Sequence, residues 1–388
     1  MTEFAVVHTD FSESSSAGRA LGLQITEAMQ QPADVVLLFA SPLYDHALLL
    51  QALKQSCQAP IILGCSSTGE FAPGLQGTGM ACALALRSSE MLFTLSTGRR
   101  LHTHPHLAAE QVMASLHSQP IAGYPYRSLL LFFDGLSSQS GDFLYRLTQL
   151  TQGSHQFFGA AAGDDGQFRS TPVFAQTKVL PDTAVALEIL SQKPIGIGVQ
   201  HGWRAASRLK RITNVEGRRI FCINDQPAVE AFLQHAYETE QEFDATNPSP
   251  FFRCNILGIV RDTSSYMLRA PVTLHSDGSI SCASEIRQGA KFHFMTSTIE
   301  TVTQAAHAAS MMAVQHLYGC TPGAALFFDC VSTKKRMGDQ FLQELRAFKE
   351  VIGTPYYLGC AVHGQISRDT GQYGDFFNCT PIACIFPA

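Results

Sequence analysis

One pattern recurs three times along the chain and limits what it can fold into. The first copy opens with the apolar run Asp34–Ala40 and turns at Ser41–Pro42. A helical stretch follows, with Leu48, Leu49, Leu50 and Leu53 on one face, and then Pro60–Leu63 runs into Gly64–Cys65–Ser66–Ser67–Thr68–Gly69–Glu70. The run Gly79–Leu86 closes this copy. The second reads Ser128–Asp134, a helix carrying Phe143, Leu144, Leu147 and Leu150, then His155–Phe158 and Gly159–Ala–Ala–Ala–Gly163–Asp164–Asp165. Pro172–Ala175 and Thr183–Leu190 follow. The third has Ala324–Cys330, a helix with Phe341, Leu342, Leu345 and Phe348, Tyr356–Leu358, Gly359–Cys360–Ala–Val–His363–Gly364–Gln365, and Pro381–Phe386. Each copy is strand, helix, strand, small-residue loop, strand. A parallel strand pair needs a crossover helix, so this order spells β-α-β units, and three copies in one chain point to duplication. The strand after each loop is close enough to return antiparallel, giving mixed sheets. The fold class expected is α/β, with pseudo-repeated strand-helix-strand units forming mixed sheets flanked by helices in two domains.

Composition agrees. Of 388 residues, 45% are hydrophobic and only 15% charged, well under the ~25% usual for soluble domains. Such a chain has a large core with strands buried on both faces and is not disordered. Its net charge of −5 and lack of Lys/Arg runs give no footprint for nucleic acid. No secretory signal opens the sequence, and no apolar stretch reaches the ~20 residues of a membrane-spanning helix. The eleven cysteines form no Cys-x-x-Cys pair, which reads as reduced, buried thiols. The expectation is a cytoplasmic protein that does not insert in membranes.

Between the second and third copies the pattern changes. Pro194–Trp203 and Ile212–Asn224 are strand-like, Pro227–Tyr237 is helical, and the polar stretch 238–250 reads as a linker. Phe252–Val260, Tyr266–Leu268 and Ser279–Ser281 read as strands, and Thr298–Leu317 as a long helix. The division expected is residues 1–237, holding the repeats 34–86 and 128–190, and residues 251–388, holding the repeat 324–386.

Several of these segments together resemble the FIST domains, a family of intracellular sensory and signal-transduction modules. Gly64–Glu70, His201–Gly202–Trp203, Ile212–Thr213 and Asp225–Ala228 are similar to its N-terminal domain. Arg269–Ala–Pro271, Asp277–Ile280, Phe327–Cys330 and Asn378–Thr380 are similar to its C-terminal domain. The resemblance implies a small-molecule ligand and a separate signalling partner such as a histidine kinase; for some members it implies haem b and the sensing of nitric oxide. Two departures stand out: the second loop is one residue short with the acid pair Asp164–Asp165, and the third has His363–Gly364–Gln365 where a Gly–Glu pair is expected.

The candidate ligand-binding residues are Cys65, Ser66, Ser67, Thr68 and Glu70, with Asp134, Asp164, Asp329 and His363. Small residues let backbone N–H groups approach a polar ligand, and hydroxyls add adaptable donors and acceptors; a tight turn between core strands has the same composition. Asp134 and Asp329 end apolar strands, where a carboxylate either caps a helix or faces a pocket. Cys65 and Cys360 are equivalent and read as buried thiols; an enzyme with a Cys65 nucleophile and a Glu70 or Asp134 base is the alternative. His201 is the candidate axial haem ligand, next to Val199 and Trp203. His155, His293 and His363 are weaker candidates for that role, and His102, His104 and His106 read as a solvated loop.

Overall fold

In a computed structural model, residues 2–137, 139–261, 265–368 and 375–388 are described. Three six-stranded mixed sheets form the core, one per repeat, and all share one strand pattern. In the first, Val35–Ala40 and Ile61–Ser66 are parallel neighbours joined by the helix His46–Cys57, and Ala81–Ser88 returns antiparallel beside Val35–Ala40. In the second, Tyr126–Phe133, Gln156–Ala161 and Thr183–Ser191 hold these places, and in the third Pro322–Cys330, Tyr357–Val362 and Ile382–Pro387. The expected mixed sheets flanked by helices are present.

Each repeat begins earlier than the apolar runs suggest. An edge strand lies beside each closing strand: Thr2–Thr9, Met91–Arg99 and Gly196–Val199. A helix leads from each toward the first core strand, namely Ser14–Ala28, Pro105–Ala114 and, after an insertion, Ile299–Gln315. Thr298 caps the last of these, accepting from the Thr301 N–H while Thr301 Oγ1 accepts from its own N–H.

The sheets exchange hairpins cyclically. The short strand after each glycine loop does not return to its own sheet. Glu70–Ala72, from the first repeat, pairs with Tyr357–Val362 of the third; Val173–Ala175, from the second, pairs with Ile61–Ser66 of the first; Gly364–Arg368, from the third, pairs with Gln156–Ala161 of the second. Each is antiparallel, as expected, but in a neighbour's sheet.

Alternating residues of every core strand divide between two faces, which is why the runs are apolar throughout. Leu37, Phe39, Leu130, Phe132, Leu326 and Phe328 face one common core between the three sheets. At its centre the equivalent residues Phe39, Phe132 and Phe328 meet edge-to-face, with ring centroids 5.5, 5.7 and 6.0 Å apart. The opposite faces are covered by each repeat's own helices.

Residues 204–296 form a body inserted in the third repeat around a nine-stranded sheet. Residues 238–250, expected as a linker, lie within it: Lys210–Glu216, from before them, pairs with Lys291–Thr296, from after them. Phe252–Cys254 is the end of a helix, Ser249–Cys254, rather than part of a strand; Pro250 suits its first turn. Among the described residues no helix is long and apolar enough to cross a membrane.

Candidate functional site

The three glycine loops meet. The fourth residue after each leading glycine donates its N–H to the carbonyl of the second residue in another loop: Thr68 to Ala361 (2.8 Å), His363 to Ala161 (3.2 Å) and Gly163 to Ser66 (2.9 Å). These bonds close a backbone ring through all three repeats. The second loop is therefore not short at this point. Its chain instead makes a longer excursion, residues 164–172, before the hairpin strand starts at Val173.

Packing in the ring leaves little room for a ligand at the first loop. Cys65 is fully buried in the shared core, and the Cys360 thiol, also buried there, is held well above its ordinary value by burial and by Cys65. Ser66 and Thr68 are buried, and their hydroxyl oxygens have no hydrogen-bond partner among the described residues. Ser67 Oγ donates to Glu70 Oε1 at 2.5 Å. Burial pushes the Glu70 carboxyl up to about 7 against the opposing effects of Ser67 and Lys334. Lys334 Nζ donates to the carbonyls of Thr68 and Gly77, which fastens the loop from the third repeat.

Asp134 and Asp329 are not equivalent, although both follow a Phe. Phe133 pairs with Ala161 as Asp329 pairs with Ala361, so Asp329 matches Phe133 and Cys330 matches Asp134. Among the described residues Asp134 caps no helix, and it is not in the lining of the cavities described. It accepts from Leu136 N, Thr171 Oγ1 and Asp182 N, with His102 Nε2 at 3.4 Å, and so ties down the excursion of the second repeat. Asp329 points outward beneath the helix Phe341–Lys349 and meets the buried carboxyl of Glu344. Burial pushes Asp329 up to about 7, and burial beside Asp329 holds Glu344 well above its ordinary value, so the pair keeps a proton.

Asp164 and His363 do come together. Asp164 accepts from the N–H groups of Phe168, Arg169 and Ser170, and its Oδ1 lies 3.3 Å from His363 Nε2. Burial raises the Asp164 carboxyl, but His363 and the N–H groups of Arg169 and Ser170 outweigh it and hold the acid well below the usual range. Phe168 stacks on the His363 ring at 4.6 Å.

His363 opens onto a cavity of about 320 Å³ between the loop ring and the inserted body. Phe168 and Lys335 line the core side with Cys330 and Asn378; Phe252, Arg253 and Pro271 line the other. The short helix Val331–Met337 directly follows a core strand of the third repeat and supplies Lys335, whose Nζ donates to the Asp165 carbonyl at 2.8 Å. Asn378 Oδ1 accepts from Ser284 Oγ at 3.1 Å, which joins the core to the body. Cys330 and Cys379 face each other with sulfurs 3.9 Å apart. Sequence reasoning missed these two as site residues. Both lie in segments that carry the family resemblance, but 49 residues separate them and no spacing rule links them.

His201 does not fit an axial haem ligand. Its Nδ1 accepts from the Trp203 N–H at 3.3 Å, and burial pushes the imidazole below its ordinary value. An axial histidine needs a nitrogen aimed into an apolar slot, and His201 lines none of the cavities described. His155 is engaged by Glu188 Oε1 at 3.0 Å and His293 by the Ser207 carbonyl at 2.8 Å. Among the described residues no group of three or more His, Cys, Asp or Glu could hold a metal ion.

Comparison with known proteins agrees with this architecture at the level of family. No curated protein matches the chain. Among solved structures, cyanuric acid hydrolase from A. caulinodans is similar over 100% of this chain and 99% of its own, at 8% identity and a TM-score of 0.34. PurL of T. maritima complexed with AMPPCP is similar over 99% and 72%, at 10% identity and a TM-score of 0.22. Neither similarity is high enough to bear on activity. The family model of the FIST N domain matches residues 34–226 and that of the FIST C domain residues 228–368, so the chain belongs to the FIST family of sensory and signalling domains.

Proposed function

We propose that this protein is a sensory module that binds a small molecule in the 320 Å³ cavity and relays occupancy to a separate protein, such as a histidine kinase. The observation that carries the reading is the placement of the cavity, with one wall from the hydrogen-bonded loop ring and the other from the inserted body. A ligand there touches both bodies, and it shifts their relative arrangement by its differential affinity for the two states. Phe168, Phe252 and Pro271 suit an apolar molecular body, and Lys335 and His363 on one wall with Arg253 on the other suit anionic or acceptor groups. Of the nine ligand-binding candidates, His363 is in the wall and Asp164 orients it; Ser66, Ser67, Thr68 and Glu70 support the ring behind it. Cys65, Asp134 and Asp329 act in packing and folding. A thiol enzyme built on Cys65 gains no support from a side chain sealed in the core, nor haem from His201.

Native mass spectrometry of the full chain purified from its own host tests this. A bound small molecule is expected on the wild type and at least about tenfold less on Val272→Trp, which fills the cavity from a half-exposed edge strand. A ligand kept at full occupancy by a folded Val272→Trp variant would place the site elsewhere.

A further inference from the structure

Two side chains in the cavity region have chemistry that ligand binding does not use. Cys330 ends a central strand of the third sheet and lines the cavity; Cys379 sits in the turn before the closing strand of the same sheet. Their sulfurs are 3.9 Å apart, with the Cys379 thiol donating to Cys330 Sγ. We propose that Cys330 and Cys379 form a peroxide-oxidisable dithiol, Cys330 reacting first through the cavity and Cys379 resolving it to a disulfide.

The two thiols are held in different states. The hydrogen bond from Cys379, with the backbone N–H groups of Cys379, Ser332 and Thr333, favours the Cys330 thiolate over the opposing effect of burial. Cys379 is pushed the other way by donating to Cys330 and by burial, so the proton stays on it. Of the charged groups around the pair, Asp329 and Glu344 keep a proton between them, while the Arg336 guanidinium packs over the Trp203 ring at 4.7 Å. Lys335 and His363 share the cavity wall with Cys330. A thiolate in a partly cationic, cavity-lining position is the nucleophilic form of cysteine.

In the first step Cys330 Sγ attacks one peroxide oxygen. An S–O bond forms, the O–O bond breaks, and sulfur gives up two electrons. The leaving oxygen takes a proton and departs as water or an alcohol, leaving Cys330 as a sulfenic acid. In the second, Cys379 Sγ attacks Cys330 Sγ, the S–S bond forms, and the S–O bond breaks. The departing hydroxide takes the Cys379 proton and leaves as water. Closing the sulfur gap to ~2 Å moves the turn that carries Asn378, whose Oδ1 holds Ser284 of the inserted body. Oxidation would thereby act on the same junction as a ligand, and it requires no ligand in the cavity.

The test treats the full-length protein with hydrogen peroxide, blocks remaining thiols under denaturing conditions, and maps peptides. A reducible Cys330–Cys379 cross-link is expected, formed at least about tenfold faster than oxidation of the exposed Cys254. In Cys379→Ser, a dimedone adduct is expected on residue 330. If Cys254 oxidises first while Cys330 and Cys379 both stay alkylatable, the proposal is overturned. The wild-type map does not depend on any variant folding, and it is independent of whether a ligand co-purifies.

Discussion

Gly64 and Gly159 show how a single residue type sets the loop ring. Each lies opposite its parallel neighbour strand at φ 154° and 145°, and an added Cβ would fall 1.8 Å from the Leu38 carbonyl oxygen or 1.9 Å from that of Leu131. Gly159→Ala should therefore cost about 2–4 kcal/mol through strain in a packed strand, read as a lower urea midpoint. Gly141→Ala, in a helix where an added Cβ would meet only Glu285 Oε2 at an ordinary contact distance of 3.5 Å, should change stability by no more than about 1 kcal/mol. Equal midpoints for the two variants would contradict this account of the loop. Asp329 gives a second prediction. Its carboxyl rises from 3.8 to about 7, chiefly through burial, so the folded state binds its proton more tightly than the unfolded chain does. The stability this contributes is complete below about pH 4 and is lost as pH rises through about 7. Asp329→Asn should flatten the fall in thermal midpoint over that interval, and an unchanged slope would mean the carboxyl is already ionised there. At this scale the sequence showed the small-residue loops but not that Asp134 and Asp329 occupy different positions in their repeats. A one-residue offset in strand register turns a side chain to the opposite face, and repetition of the dipeptide Phe–Asp cannot reveal it.

Secondary-structure elements were legible where burial leaves a strong pattern. Val35–Ala40, Leu129–Phe133 and Ala324–Phe328 are continuous apolar runs because one face packs on the shared core and the other on helices. The hairpin strands were not assignable in this way. Glu70–Ala72 and Val173–Ala175 are three residues each, too short to show which sheet edge they join. Phe71 indicates what the exchange contributes: it lies opposite Gly359 in the third sheet, and its ring centroid is 6.0 Å from that of Phe327 and 5.8 Å from that of Phe341. Phe71→Ala should destabilise the whole protein by about 3–5 kcal/mol, measured by denaturant unfolding. A loss under about 1 kcal/mol would show that the first repeat's hairpin is not anchored in the third sheet.

At the level of the whole molecule, the repeats form one cyclic body, because every sheet contains a strand from another repeat. The inserted body was legible as a change of pattern, but its docking was not, since the contacts among Trp203, Met295, Cys330 and Cys379 bring together distant parts of the chain. Docking there makes a cavity with walls of different origin, and the sensory reading depends on that cavity being the receptor. A crystal structure of the full chain isolated from its own host, without added ligands, tests this most directly. The account expects electron density for a small molecule between Phe168, Lys335, His363 and Pro271. Density for a co-purified molecule only in another cavity, such as the one lined by Arg269 and Glu285, would contradict it.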